Sequence, residues 1–365
     1  MKKTLLTAAA LALALPAHAQ DEPEGAPSPN QIVEAADAEE WVSISPEDLL
    51  VMTLAPDPQG NPRQVVIQLM PAPFSQGWVE NIRKLARAKW YDDISVNRVQ
   101  DNYVVQWGDP NYDNPEAEGE TKTLPEGLRV MGEDEYSQSM ESMSSAVQAN
   151  KVNLKRDEFG RYLPLYEERE RRAMISIAST RTSSAPQGWH QRDSYGYFVE
   201  FYNGWPIASN TAGDSAVFWP VHCYGMVGVG RNYSPDTGSG AELYTVIGHA
   251  PRHLDRNIAL VGRIIEGMEH LSSLPRGKGE LGFYGEDELD KRTPILSVRV
   301  VSDLQASSSE AAGRKYAFEY LSTESETFAK YAEARANRRD PFFIHPAGGA
   351  DICNIPVPVR RVASD

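Results

Sequence analysis

Several residues in the second half of the chain have types that could hold a metal: His222, Cys223, His249, His253 and Cys353. Their spacing argues against it. His249 and His253 stand four apart, which would put both rings on one helical face, but Pro251 lies between them and breaks such a helix. No Cys-x-x-Cys pair occurs. Asp236-Thr237-Gly238-Ser239 carries the Asp-Thr-Gly triplet that two-carboxylate peptidases use. That chemistry needs two carboxyl groups sharing a proton, so one copy would require a symmetric dimer. The residues before it, Asn232 to Pro235, are polar and turn-like, and a loop is the better reading. Gly225-x-x-Gly228-x-Gly230 lacks the Lys-Ser/Thr of a phosphate-binding loop and reads as strand and turn. No Gly-x-Ser-x-Gly elbow is present. Metal, paired-carboxylate, phosphate and serine-nucleophile chemistries therefore have little support, and no metal or cofactor is expected.

The elements that could carry other chemistry lie behind an export signal. Lys2 and Lys3 precede a Leu/Ala run over 5–16, followed by Ala17-His18-Ala19. That is the pattern of a secretory signal peptide over 1–19. The apolar run is shorter than the roughly 20 residues a bilayer-spanning helix needs. The expectation is a soluble protein released into the periplasm, with no stable membrane insertion. The net charge of −15 disfavours nucleic acid and anionic lipid as partners. An oxidising compartment would permit a disulfide between Cys223 and Cys353; their approach is not legible in sequence, and two buried thiols remain an equal reading.

Residues 20–40 are rich in Pro, Ala, Asp and Glu and read as a disordered leader. Strands are expected over 49–54 and 64–70, the second with Val65, Ile67 and Leu69 on one face. Helical spacing runs over 74–90, where Val79, Ile82, Leu85 and Ala86 oppose Glu80, Arg83, Lys84 and Arg87. Two strands follow, 94–99 and 103–107. Residues 113–211 are the least readable, with an acidic run over 114–126, a weak helix over 133–150, a mixed-charge stretch over 167–172 and strand candidates at 174–178 and 195–201. Further strands are expected over 218–229, 243–247, 258–264 and 295–301, with a short helix over 265–274. Two helical segments, 308–320 and 324–337, and an irregular Pro-rich end over 341–361 complete the chain.

Two blocks of this sequence resemble the cyclophilins. The first contains Pro73-Phe74-Ser75-Gln76-Gly77-Trp78-Val79-Glu80-Asn81-Ile82. Next come Trp90-Tyr91-Asp92-Asp93 and Val96-Asn97-Arg98-Val99. The block ends in Tyr103-Val104-Val105-Gln106-Trp107-Gly108-Asp109-Pro110. These are similar, in order and approximate spacing, to the family's Val-x-Asn-Phe, Tyr-Tyr-Asp-Gly, Phe-His-Arg-Val and Phe-x-x-Gln-Gly-Gly-Asp-Pro units. The second block, 225–268, contains Gly225-Met226-Val227-Gly228-Val229-Gly230, a segment at 238–245, His253-Leu254-Asp255 and Val261-Gly262-Arg263-Ile264-Ile265-Glu266-Gly267-Met268. They resemble Ser-Met-Ala-x-Ala-Gly, Gly-Ser-Gln-Phe-Phe-Ile, Trp-Leu-Asp and Phe-Gly-x-Val-x-x-Gly-Met. Together the blocks cover less than half of the chain.

The resemblance implies a mainly β fold: a closed antiparallel barrel capped by helices, contributed by 41–112 and 212–304. The segment 113–211 would be a large insertion and 305–365 a helical C-terminal extension and tail. It implies a peptidyl-prolyl cis–trans isomerase acting on proline-containing segments of exported proteins. Catalysis is assigned to Arg98 as donor and Gln106 as the group orienting the substrate backbone. Tyr103, Val104, Tyr244 and Leu254 would line the proline pocket, with Glu242 at a pocket Gln position and His253 where Trp or Phe is common. Gly228 replaces a substrate-facing Asn, and Ile258 replaces a pocket His. An alternative of another class is a cyclophilin-like module that binds such segments with little catalysis.

The chemistry suits these residue types. The barrier to rotation about an X–Pro bond, roughly 18–20 kcal/mol, comes from amide resonance. Twisting the bond returns a lone pair to the prolyl nitrogen. A fixed donor near it stabilises the twisted state more than the planar one, which is catalysis by differential binding. Arginine stays protonated and presents a rigid fork.

Overall fold

A computed structural model of the chain describes residues 25–111, 119–152, 193–210, 215–307 and 315–362. The expected signal peptide, the mixed-charge stretch at 167–172 and the strand candidate at 174–178 lie outside the described residues. In chain order the elements are α1 (Pro29–Glu34), β1 (Trp41–Ser43), β2 (Leu49–Leu54), β3 (Arg63–Leu69), α2 (Gln76–Arg87), β4 (Ile94–Val99), β5 (Val104–Gly108), β6 (Gln138–Ser139) and α3 (Met140–Val152). They continue with β7 (Phe198–Tyr202), β8 (Trp205–Ser209), β9 (Val217–Pro220), β10 (Met226–Val229), β11 (Leu243–Val246), β12 (Leu260–Glu266) and α4 (Glu269–Ser272). The last are β13 (Thr293–Val300), α5 (Val301–Ser307), β14 (Phe318–Leu321), α6 (Glu326–Ala336) and β15 (Val359–Arg361).

Strands β10-β11-β5-β4-β13-β2-β3-β12 close into an antiparallel barrel. Alternation decides what fills it. Val65, Ile67 and Leu69 of β3, Val105 and Trp107 of β5, and Leu50, Met52 and Leu54 of β2 all join the main core. The helix expected over 74–90 forms as α2. Its Trp78, Val79, Ile82, Leu85 and Ala86 are buried in that core. The Trp78 indole donates to the carbonyls of Thr237 and Gly238, tying the helix to the second sequence block.

β2 is apolar on both faces because both are covered. Leu49 and Val51 turn outward and pack with Val66, Val301, Tyr316 and Phe318, so the C-terminal segment forms a second layer over the barrel. That layer corrects two expectations. The extension is not wholly helical: β14 occupies residues placed in the helix over 308–320, and it pairs with β1 on one side and β15 on the other. Two partner strands and the Phe/Tyr content of 318–320 outweigh the Ala-rich stretch before it; residues 308–314 lie outside the described residues. The second expected helix, over 324–337, forms as α6. Nor is the leader wholly unstructured. Ser28 and Gln31 form a reciprocal capping box at the start of α1. Ile32, Val33 and Ala36 pack onto the cluster of Trp41, Leu321, Phe328, Tyr331 and Ile355. A helix this short is not stable by propensity; the C-terminal layer supplies the partner.

Strands β6, β7 and β8 of the insertion pair with β9 in the four-stranded sheet β6-β9-β8-β7, so residues 217–220, expected in the second part of the barrel, belong to the sheet of the insertion instead. Its β7–β8 hairpin turns on Asn203-Gly204, both at positive φ, as a two-residue primed turn requires. The weak helix expected over 133–150 becomes a 3-10 turn at Glu133–Tyr136, then β6, then α3. The single strand expected over 218–229 is two strands in two sheets. Pro220 cannot donate to a ladder. The chain turns from Val221 to Gly225, with Cys223 N donating to the Val221 carbonyl and Met226 N to that of Cys223. Cys223 and Cys353 are joined as a disulfide, their Cα atoms 5.1 Å apart, which fastens the C-terminal tail to this turn.

Candidate active site

Residues paired directly across an antiparallel ladder project to the same face. Arg98 pairs with Gln106, Gln106 with Tyr244, and Tyr244 with Gly228. One row therefore crosses β4, β5, β11 and β10. Its parity is opposite to that of Val105, Trp107 and Leu243, which enter the core. The row therefore stands on the outside of the barrel.

On that face Val104, Tyr244 and Val246 form an apolar cluster separate from the core, with Tyr103, Leu254 and Ile258 packed at its edge. Val104 and Val246 are a second cross-strand pair, one step along from the row. Val104, Tyr244 and Val246 are themselves buried, at 3%, 4% and 0% exposure, and the half-buried Tyr103, Leu254 and Ile258 form the edge that solvent or a ligand meets.

Arg98 borders this patch. Its Nε donates to the Leu281 carbonyl at 2.7 Å and its Nη1 to Gln106 Oε1 at 3.1 Å, while Nη2 bonds Gln100 Oε1. The guanidinium carbon lies 5.7 Å from the Tyr103 ring centroid and 5.5 Å from that of Phe283. Burial pulls its pKa below the ordinary arginine value. That value is high enough for the cation to persist near neutrality. Among the described residues each nitrogen makes one bond, which leaves the second hydrogens of Nη1 and Nη2 for a substrate.

The remaining predicted residues divide. Leu254 joins the apolar patch from the 3-10 turn Arg252–Leu254. His253 is exposed and stacks on Tyr103 with ring centroids 6.1 Å apart, at the rim. Glu242 is not in the patch. It is buried, and its Oε1 accepts from Asp109 N at 2.7 Å. A Cβ on Gly108 would collide with its carboxylate, so the side chain fills space that Gly108 leaves open. Sequence reasoning missed two residues. Phe283 reaches Arg98 through an isolated bridge from the segment after β12, and only its place between Gly282 and Gly285 hinted at a turn. His222 was weighed as a metal ligand. It instead hydrogen-bonds the Tyr244 hydroxyl through Nε2 at 3.0 Å. The Asp236 carboxylate accepts from the backbone of Asn232 and Gly238, as a loop cap does.

The family model of cyclophilin type peptidyl-prolyl cis-trans isomerase matches residues 60–300, about two thirds of the chain. No curated protein matches by sequence. Among solved structures, the cyclophilin AquaCyp293 from Hirschia baltica superposes with a TM-score of 0.55 at 22% identity, covering 89% of this chain and 95% of that one. A cyclophilin type isomerase of Cryptosporidium parvum, crystallised in the presence of the dipeptide Ala-Pro, gives a TM-score of 0.31 at 10% identity, covering 69% and 97%. The likeness to the Hirschia structure concerns the fold. The family rests on the sequence model, which spans both motif blocks and the insertion between them, and by that match this chain belongs to the cyclophilin type peptidyl-prolyl cis-trans isomerases.

Proposed function

We propose that the protein isomerises X–Pro bonds in exported polypeptides, with Arg98 as the donor to the prolyl nitrogen and the apolar cluster of Val104 and Tyr244, entered at its Tyr103 and Leu254 edge, as the seat of the proline ring. The observation that carries this reading is the cross-strand row, in which the guanidinium and the Gln106 amide flank the apolar patch. Proline docks on the patch by apolar burial, Gln106 engages the substrate backbone, and the chain beyond the ring is left to rotate. As the amide loses planarity, the nitrogen gains basicity and Arg98 binds it more tightly than in either planar state. No proton is transferred and no covalent bond forms. Export to the periplasm is supported by the signal-like start of the sequence and by the disulfide, a bond that persists in oxidising compartments.

The test is exchange of an Ala-Pro peptide by the purified chain. Arg98→Ala should lower kcat/KM by about 100-fold, the scale of removing one pre-organised donor, with an unchanged circular dichroism spectrum. A wild-type rate equal to background would instead favour the binding module. N-terminal sequencing of the protein from a periplasmic extract should begin at Gln20; recovery only from the cytoplasm would defeat the export reading.

A further inference from the structure

Tyr244 belongs to the cluster proposed to seat proline, and what holds it is a chain of buried polar contacts leading away from the barrel. Its hydroxyl meets His222 Nε2 at 3.0 Å. His222 Nδ1 lies 2.9 Å from Asp255 Oδ1, which also accepts from the His222 backbone N–H at 3.0 Å. Asp255 Oδ2 accepts from Arg252 Nε at 2.7 Å. Arg252 Nη1 and Nη2 reach the two carboxylate oxygens of Asp193 at 2.7 and 3.2 Å. The side chains of His222, Asp255, Arg252 and Asp193 are each 4% exposed or less. Asp193 in turn accepts from the backbone N–H groups of Tyr195 and Gly196, at the lead-in to β7. The series thus starts in the insertion and ends at the proline patch.

Direction is fixed along most of it. Asp255 only accepts, so Nδ1 of His222 carries a proton, and Nε2 faces the phenol. The Tyr244 ring lies across Gly228, where a Cβ would come within 2.3 Å of the hydroxyl. The ring therefore occupies space that any larger residue at 228 would take, and the bond to His222 anchors its far end. An anchored aromatic wall loses less conformational freedom on meeting a ligand than a mobile one, which favours binding.

We propose that His222, Asp255, Arg252 and Asp193 are positioning residues that lock Tyr244 as the wall of the proline pocket, so that the insertion sets the affinity of the groove for its substrate. The proposal rests on the isomerase site proposed above. None of the four is assigned to touch the peptide; they act through Tyr244 alone.

The experiment is a double-mutant cycle read in KM and kcat separately, using an Ala-Pro peptide. Tyr244→Phe keeps the ring and removes only the hydroxyl. It should raise KM about five- to tenfold, the effect of one buried hydrogen bond, and leave kcat within about twofold because Arg98 is untouched. Asp193→Asn, at the far end, should raise KM by about threefold in the wild-type background and have no further effect in the Tyr244→Phe background. His222→Gln, which can still offer an amide group near the phenol, should restore part of what His222→Leu loses. Additive effects in the cycle, or an Asp193→Asn variant that lowers only the melting temperature, would overturn the positioning role. The groove reading fails separately, if Arg98→Ala is as active as wild type.

Discussion

Arg252 is buried and Arg98 half-buried, and their surroundings are opposite. Arg252 is wedged between two carboxylates, Asp193 and Asp255. Burial opposes its charge, but the hydrogen bond and charge of Asp193 and the charge of Asp255 overcome that and raise its pKa. Arg98 meets a carbonyl, two side-chain amides and two aromatic rings. Among the described residues no carboxylate lies within ion-pair distance of it, and burial lowers its pKa. The difference teaches what each cation is for. A neutralised cation holds parts together. A cation supported by neutral dipoles keeps its field for whatever enters beside it. Arg263 shows that neutral support is not sufficient. Among the described residues it has no carboxylate partner either, and burial pulls its pKa down to about 10, but Gln68, the Gly204 carbonyl and the Trp205 face enclose it under the insertion hairpin. Of the three, Arg98 alone combines neutral partners with a neighbouring apolar patch on the outer face.

The largest effect that could break this contrast is on stability. Arg252→Ala leaves two buried carboxylates without their cation and should cost about 3–5 kcal/mol in chemical denaturation at neutral pH. Burial alone would push the Asp255 carboxyl up, but the His222 hydrogen bond and charge, with Arg252, hold it below its ordinary value of 3.8. A carboxylate depressed in this way stabilises the fold above its unfolded pKa and loses that contribution as pH falls through the folded one. The gap between wild type and variant should therefore narrow in acid. A gap that stays constant from neutral pH to below pH 3.8 would mean that Arg252 acts through packing rather than charge.

How much of this was legible in the sequence follows from the same contrast. The row Arg98, Gln106, Tyr244 was accessible because each member sits in a strand with a recognisable neighbourhood, and strand parity then fixes the shared face. The resemblance could supply Arg98 and Gln106, whose setting is local to β4 and β5. It misdirected at Glu242, whose carboxylate is taken up by the backbone of Asp109, a contact that spans more than a hundred residues of sequence. The series behind Tyr244 was not legible because Asp193, His222 and Asp255 meet only after the insertion folds against the barrel. The same reason hid α1 and β14: the apolar stretches of the leader and of the C-terminal extension are too short to declare themselves, and each becomes regular only against the other.

A smaller effect should come from changing Arg98 while keeping its charge. Arg98→Lys retains the cation but loses the planar fork that spans Leu281, Gln100 and Gln106. The kcat/KM for an Ala-Pro peptide should fall by about 10- to 50-fold, less than the loss expected for Arg98→Ala, with no change in unfolding midpoint. A lysine variant as active as wild type would show that charge alone suffices and that the neutral cradle is incidental.

The finest test converts one arginine's surroundings toward the other's. Gln106→Glu places a carboxylate where the amide oxygen now accepts from Arg98 at 3.1 Å. At neutral pH the new group is ionised, because the adjacent guanidinium favours the charged form and lowers its pKa. Arg98 then resembles Arg252: better neutralised, more firmly held, and less able to respond to a lone pair forming on the prolyl nitrogen. The expected result is a kcat/KM lower by about tenfold at neutral pH. The sign of its pH dependence is diagnostic. Protonating the introduced carboxylate removes the negative charge and restores a neutral partner, so activity should climb as pH falls through the depressed carboxyl pKa. Wild type, with an amide at this position, should show no such rise. Full activity at neutral pH would mean that the field of Arg98 is not what the groove uses, and a flat acid limb in the variant would mean that its defect is one of shape.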